Sequence, residues 1–279
     1  MKYNIIGDIH GQPKWKDLII DGAVNIFVGD YFSPYFPIPF EEQEKNFKEI
    51  MRYREEHNNE GDVVTLLGNH DLEYFFTLES YSRHDRAHER KIEELFNDYV
   101  DNHEMAYSIE DKVLVTHAGV TKEWFGKVLK AHGDSFNGYG PSNIRLDKMT
   151  PDLVASVIDD MFNIDQKWAF EFHPNAAYWD SCGESPTQSC VWIRPWVLRQ
   201  HDLFEGRYKQ VFGHTINKSI AGVYLTEGYE ENCLTPLTDD NANDFNLYMV
   251  DCLSYDKASL VYDSETERFS INKPKDDRI

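Results

Sequence analysis

Five short apolar runs along the chain each end in a glycine or small polar residue, followed by side chains able to bind metals. They are Tyr3–Ile6 before Gly7-Asp8-Ile9-His10, Val24–Val28 before Gly29-Asp30, and Val63–Leu67 before Gly68-Asn69-His70-Asp71. Val113–Val115 precedes Thr116-His117-Ala118-Gly119, and Val211–Phe212 precedes Gly213-His214-Thr215. Runs of this length, rich in Val and Ile, predict buried strands of the kind found in sheets covered on both faces. Helical patterns separate them. Pro13, suited to a first helical turn, opens a stretch with Trp15, Leu18 and Ile19 on one face. Phe47, Ile50 and Met51 mark a second helix, and Ile92, Leu95, Phe96, Tyr99 and Val100 a third with i, i+3, i+4, i+7, i+8 spacing. Trp124, Phe125, Val128 and Leu129 give a shorter one. Thr150 is the expected cap of a helix starting at Pro151, with Leu153, Val154, Val157, Ile158, Met161 and Phe162 facing inward.

After His214 the character changes. Ala221–Leu225, Asn246–Val250, Ser259–Tyr262 and Phe269–Ile271 read as strands joined by turns such as Asp239-Asp240-Asn241, with no helix between them. Alternating β and α followed by nearly pure β predicts an α/β fold. No internal repeat and no Pro/Gly/Ser linker divides the chain, so one domain over residues 1–279 is expected. Residues 133–190, rich in Gly, Pro, Ser and Asn around one helix, read as an insertion over the site.

Composition narrows the functional classes. With 41% hydrophobic residues, the 279-residue chain can bury a substantial core. It contains no run of about eighteen apolar residues, so no transmembrane helix is expected. The N-terminal apolar stretch reaches Asp8 too soon for a secretory leader, which makes the cytoplasm the expected location. A net charge of -21 repels nucleic-acid backbones and anionic membranes, and neither is expected as a partner. Cys182, Cys190, Cys233 and Cys252 form no C-x-x-C pair and are expected as buried free thiols; nothing demands a Cys182–Cys190 bridge.

The chemistry sits where the runs end. In open α/β sheets the C-terminal edge of the strands is where ligands bind. Asp8 and His10, two apart in extended chain, point to one side and suit one metal ion. Asp30 can offer two carboxylate oxygens and bridge two cations, while Asn69 supplies an amide oxygen and His117 and His214 imidazoles. That mixture suits two divalent first-row ions, manganese first, with iron, zinc or nickel as alternatives, better than calcium. Such a pair holds a shared water, lowers its pKa towards neutrality and clamps phosphate oxygens for in-line attack. His70 is placed to protonate the leaving alkoxide. Arg194, in the apolar frame Val191-Trp192-Ile193-Arg194-Pro195-Trp196, is the candidate cation for transition-state charge, with Asn69 as a second substrate contact. His84 and His88, i and i+4 in a charged stretch, read as a solvated helix face. Asp251, after a strand, reads either as the orienter of a ligating histidine or as a turn carboxylate.

Read together, Gly7-Asp8-Ile9-His10-Gly11, Gly29-Asp30-Tyr31, Gly68-Asn69-His70-Asp71, His117-Ala118-Gly119 and Gly213-His214 resemble the calcineurin-like metallophosphoesterase superfamily. The resemblance implies a four-layer α/β/β/α sandwich, two mixed sheets face to face with helices outside and a dinuclear metal site at strand C-terminal ends. It implies that Asp8, His10 and Asp30 hold one metal, that Asp30, Asn69, His117 and His214 hold the other, and that His70 is the proton donor. His117-Ala118-Gly119 and Trp192-Ile193-Arg194 resemble the phosphoprotein phosphatase branch, which includes bacterial and phage serine/threonine phosphatases and symmetrical diadenosine tetraphosphatases. Ile216 replaces the last histidine of the Gly-His-x-His ending of other branches.

One departure stands out. The branch reads Gly-Asp-Tyr-Val-Asp-Arg-Gly at its second motif, and this chain reads Gly29-Asp30-Tyr31-Phe32-Ser33-Pro34-Tyr35. Ser33 stands where an Asp orients the proton-donating histidine, and Pro34 where an Arg binds phosphate. Arg194 with Arg145 or Lys148, and Asp71 beside His70, are the candidate replacements. The expected substrate is a phosphomonoester, on a phosphorylated protein or a small molecule. The rival is a diadenosine polyphosphate or other nucleotide, whose base Phe136, Tyr139, Tyr178 or Trp179 would stack. A reading of another class is a binding scaffold that kept the metal site and lost catalysis.

Overall fold

The computed structural model describes residues 1–57, 62–76, 82–136, 144–172, 182–225 and 234–274. In chain order its strands are β1 (Lys2–Ile6), β2 (Val24–Phe27), β3 (Val63–Thr65), β4 (Ala106–Ile109), β5 (Val113–Thr116) and β6 (Lys209–Phe212). They continue with β7 (Ala221–Val223), β8 (Leu234–Pro236), β9 (Leu247–Met249), β10 (Ser259–Asp263) and β11 (Arg268–Asn272). The α-helices are α1 (Phe40–His57), α2 (Asn69–Phe75), α3 (Glu89–Asp98), α4 (Lys122–Ser135), α5 (Pro151–Asn163) and α6 (Pro195–His201).

The strands form two mixed sheets, one ordered β11-β10-β1-β2-β3 and the other β4-β5-β6-β9-β7-β8. Period-2 alternation explains how one apolar run serves two layers. Ile5, Ile26 and Val64 of the first sheet join Val113, Val115, Val211 and Tyr248 of the second in one buried cluster, the core between the sheets. Their neighbours Ile6, Phe27, Val63 and Leu114 face the other way, into a cluster with Phe47, Ile50, Phe96, Val154 and Ile158 of the helices. Leu198 of α6 covers Phe212 and Met249 in a third cluster. The outcome is the expected α/β/β/α layering. Within the first sheet β1, β2 and β3 run parallel, and within the second β5, β6 and β9 do. Their C-terminal ends deliver Asp8, Asp30, Asn69, His117, His214 and Asp251.

Several expectations change. The stretch from Pro13 is one 3₁₀ turn, Pro13–Asp17, because Leu18 N–H bonds back to Trp15 and the chain must reach β2 by Val24. Thr150 stands at the cap of α5 but its side chain makes no capping bond. Val100 lies beyond α3 and is exposed. His84 lies before α3 and is no surface residue: its ring stacks 4.6 Å over Tyr74 and its Nδ1 is 2.9 Å from Glu73 Oε2. His88, at the start of α3, stacks 4.0 Å on Phe40. The sequence pattern passed over α2, α6, β4 and β8. Cys182, Cys190 and Cys252 are in no disulfide among the described residues, so Cys182 and Cys190 are not bridged, and Cys182 is exposed. Cys233, Tyr139, Tyr178, Trp179 and parts of the 133–190 segment lie outside the described residues. Phe136 stacks on His132 at the end of α4. No described helix is long and apolar enough to cross a membrane.

Candidate metal and phosphate site

Tight turns after the strands create the site. His10, Asp30, Ser33 and His214 all hold left-handed backbone angles, φ 43°, 53°, 60° and 64°, each costing roughly 1–3 kcal/mol for a non-glycine residue. The surroundings hold them there. Buried Asp71 accepts hydrogen bonds from the backbone N–H groups of Asp30 (2.7 Å), Tyr31 (2.9 Å) and Gly68 (2.9 Å), tying the ends of β2 and β3 together. His10 N–H donates to the Asp30 carbonyl at 2.6 Å. Across the sheets, His214 N–H donates to both carboxylate oxygens of Asp8, at 3.2 and 3.0 Å.

The side chains converge. His10 Nε2 lies 3.8 Å from Asp8 Oδ2 and 3.7 Å from Asp30 Oδ2, and the donor atoms of these three residues lie within 4.8 Å of one another. Asp30 Oδ2 is 3.6 Å from His117 Nε2 on its other side. Asn69 Oδ1 sits 3.0 Å from His117 Nε2 and 2.9 Å from His214 Nδ1. Asp30 therefore stands between two groups of donors.

The far side of each ring locates its proton. His10 Nδ1 faces the Phe32 carbonyl at 3.0 Å and His117 Nδ1 the Val28 carbonyl at 2.8 Å. A carbonyl only accepts, so both Nδ1 atoms carry hydrogen. Burial lowers both rings below the usual histidine range, His10 to about 3, so they are neutral near pH 7. Each then presents a bare lone pair at Nε2 to carboxylate or amide oxygens, and two lone pairs cannot hydrogen-bond. A divalent cation is the group that lets such donors share a space.

Asp8 and Asp251 make the same demand from the acid side. Burial, then the charges of Asp251 and Asp30, raise Asp8 well above the usual carboxylate range. Burial and the Asp30 charge push Asp251 up to about 7. The Asp251 carboxyl shares a side-chain hydrogen bond with Asp8, and among the described residues it makes none to a histidine or to a turn N–H. Above the donors opens a cavity of about 290 Å³ lined by Asp30, Tyr35, Asn69, His70, Ser82, Arg83, Trp192, Arg194, His214, Thr215 and Ile216. Asp, Asn and His side chains thus converge beneath a cleft that carries two guanidinium groups.

Known proteins agree with that geometry. The family described as calcineurin-like phosphoesterase matches residues 1–217. The chain belongs to the calcineurin-like phosphoesterase family. By family it is a metal-dependent hydrolase of phosphate esters, and divalent ions are the family's cofactors. Among solved structures, a protein serine/threonine phosphatase from Saccharomyces cerevisiae, described as similar to human phosphatase PP5, is similar with a TM-score of 0.52 and 12% identity. The match covers 98% of this chain and 80% of that one, and it is a likeness of fold. No curated protein sequence matches.

The substrate side of this phosphoesterase departs from the sequence expectation. Asp71, adjacent to His70, is committed to three backbone N–H groups and does not orient the ring. His70 Nδ1 faces Glu73 Oε1 instead, at 3.5 Å, one turn along α2. Arg145 is exposed and paired with Asp147, and Lys148 is exposed; neither lines the cavity. The added cation is Arg83, whose Nη2 lies 2.8 Å from His70 Nε2. Arg194 lines the cavity as expected, its Nη1 donating to Thr215 Oγ1 at 3.1 Å and its Nε to the Cys182 carbonyl at 2.6 Å. Glu73 and Arg83 carried no motif. Their one signal was the vacancy at Ser33 and Pro34.

Proposed function

We propose that the chain is a two-metal phosphomonoesterase of the phosphoprotein-phosphatase type. Asp8, His10 and Asp30 would hold one ion and Asp30, Asn69, His117 and His214 the other, with manganese the preferred metal. The observation that carries this reading is the pair of neutral histidines whose Nε2 lone pairs face carboxylate and amide oxygens. When bound, the two ions supply electrophilic activation of the phosphoryl group and of a water. The protein's own groups do the rest. Arg194 and Asn69 border the cavity and hold the phosphoryl oxygens; Trp192 walls the cleft against water. His70, its backbone N–H donating to Asp30 Oδ1 at 3.0 Å, is fixed at the cavity wall to protonate the departing alcohol. A cavity of about 290 Å³ suits a phosphoryl group and the first atoms of its ester.

The test is manganese-dependent hydrolysis of p-nitrophenyl phosphate, its bis ester and diadenosine tetraphosphate, with His70→Asn and Asp30→Asn as controls. Monoester turnover lost in Asp30→Asn, and turnover of an alkyl phosphate lost in His70→Asn, is the expected result. Preference for the dinucleotide moves the assignment to a nucleotide pyrophosphohydrolase. A metal-loaded protein inert on all three makes the chain a binding scaffold and sinks the reading.

A further inference from the structure

Around His70 the structure holds two charged side chains that no motif accounts for. Glu73, buried, follows one turn later on α2, so both side chains lie on the same helix face. Its Oε1 is 3.5 Å from His70 Nδ1, which makes no hydrogen bond among the described residues, and its Oε2 is pinned by His84 Nδ1 at 2.9 Å. Catalytic hydrogen bonds in ligand-free sites are often this long and tighten on binding. On the opposite edge of the ring, Arg83 Nη2 donates to His70 Nε2 at 2.8 Å. The two contacts define one tautomer: hydrogen on Nδ1 toward the carboxylate, and Nε2 toward the cavity. The guanidinium is itself fixed, with Nη1 donating to the Ser33 carbonyl at 2.8 Å and Cζ 3.8 Å from the centroid of the Tyr35 ring. Those bonds use two of its five N–H donors, and Arg83 lines the cavity with Arg194.

We infer that Glu73 is the positioning carboxylate of His70 and that Arg83 is a phosphate-binding residue, the pair standing in for the two side chains absent at Ser33 and Pro34. The inference rests on the monoesterase reading above. In the step it serves, a water oxygen forms the new P–O bond and the P–O bond to the alcohol breaks. The bonding pair goes to the alcohol oxygen, which takes its proton from His70 Nε2, protonated from solvent once Arg83 has left it. The proton shed by water reprotonates His70 through solvent, so ester plus water gives alcohol plus phosphate. Arg83 leaves Nε2 for a phosphoryl oxygen when substrate enters, and Glu73 keeps the ring aimed.

The two roles separate experimentally. Glu73→Gln is expected to lower kcat on an alkyl phosphate by about 10–100-fold, a part of what a general acid contributes. It leaves KM and metal content unchanged, and it scarcely affects p-nitrophenyl phosphate, whose leaving group needs no proton. In a His70→Ala background it should have no further effect. Glu73→Asp, which keeps the charge, should recover part of the loss and serves as the second variant if Glu73→Gln does not fold. Arg83→Ala is expected to raise KM for both esters, and to weaken inorganic phosphate binding to the manganese-loaded protein, by roughly 10-fold or more. Equal losses on both esters for Glu73→Gln, or an added loss in the His70→Ala background, overturn the Glu73 assignment. Unchanged phosphate binding by Arg83→Ala overturns the other. If the wild type binds phosphate through Arg83 but hydrolyses no ester, the monoesterase reading and the Glu73 role fail together while Arg83 stands.

Discussion

Gly213 offers a direct probe of the proposed metal donors. A Cβ at that position would sit 1.9 Å from Asp8 Oδ1 and 3.0 Å from both Asp8 Cγ and Val28 Cγ2. Its φ is not left-handed, so alanine brings no backbone strain and the perturbation is steric alone. Ordinary contact begins at 3.4 Å, so the Asp8 carboxylate must withdraw by about 1.5 Å. Metal–ligand distances tolerate only about 0.2 Å, and a 1 Å misplacement near the chemistry costs on the order of 100-fold in rate. Gly213→Ala is therefore expected to lose one ion at manganese concentrations that saturate the wild type, and to lose about 100-fold or more in turnover. Overpacking of this kind costs roughly 1–3 kcal/mol in stability, small enough for the protein to stay folded. Metal content by mass spectrometry with manganese titration calorimetry, ester turnover, and Tm with and without chelator read the three effects separately. Gly126→Ala is the control: its Cβ meets only Leu146 Cδ1, at 3.5 Å, inside α4, and it should be more stable by up to about 1 kcal/mol. Wild-type metal stoichiometry and affinity in Gly213→Ala would refute the assignment of Asp8.

Two further predictions concern pH. Burial raises Asp159, whose carboxylate accepts from Met105 N–H at 2.7 Å, to about 7. Its folded pKa lies above the unfolded value, so its contribution is complete below about pH 4 and is lost as pH rises through 7. Asp159→Asn keeps an acceptor without the proton, and should shrink the urea-stability gap between pH 5 and 8 by on the order of 3 kcal/mol; an unchanged gap refutes it. Chelated protein should behave likewise at Asp8 and Asp251, both raised by burial and by neighbouring carboxylates. Its Tm should fall as pH rises from about 5 to 8, whereas manganese held by Asp8 should flatten that dependence; parallel curves would argue against a cation at Asp8.

The convergence of Asp8, His10, Asp30, Asn69, His117 and His214 was legible in the sequence, and the side chains around His70 were not. Asp8, Asp30, His117 and His214 each close a strand whose apolar run announces it, and a strand end fixes where the next side chain goes. Asn69, His70 and Asp71 belong instead to the first turn of α2. That helix escaped notice because its seven residues begin with polar site residues and show no apolar periodicity. Adjacency in sequence made Asp71 the candidate to orient His70. On a helix, residues one apart point about 100° apart while i and i+3 share a face, so the histidine's carboxylate is Glu73 and Asp71 turns back to the strand ends.

The same distinction explains why the departure at Ser33 and Pro34 leaves the metal donors in place. The donors depend on backbone contacts between strand ends: His10 on the Phe32 carbonyl, His117 on the Val28 carbonyl, and Asp8 on the His214 N–H. None of these needs a side chain at position 33 or 34. The acid and the cation need only reach the ring of His70, and a ring can be approached from more than one element. Glu73 reaches it from its own helix, and Arg83 from the segment between α2 and α3. A vacancy in a motif therefore says that a role has moved, and the face of the helix carrying the surviving residue is the first place to look for it.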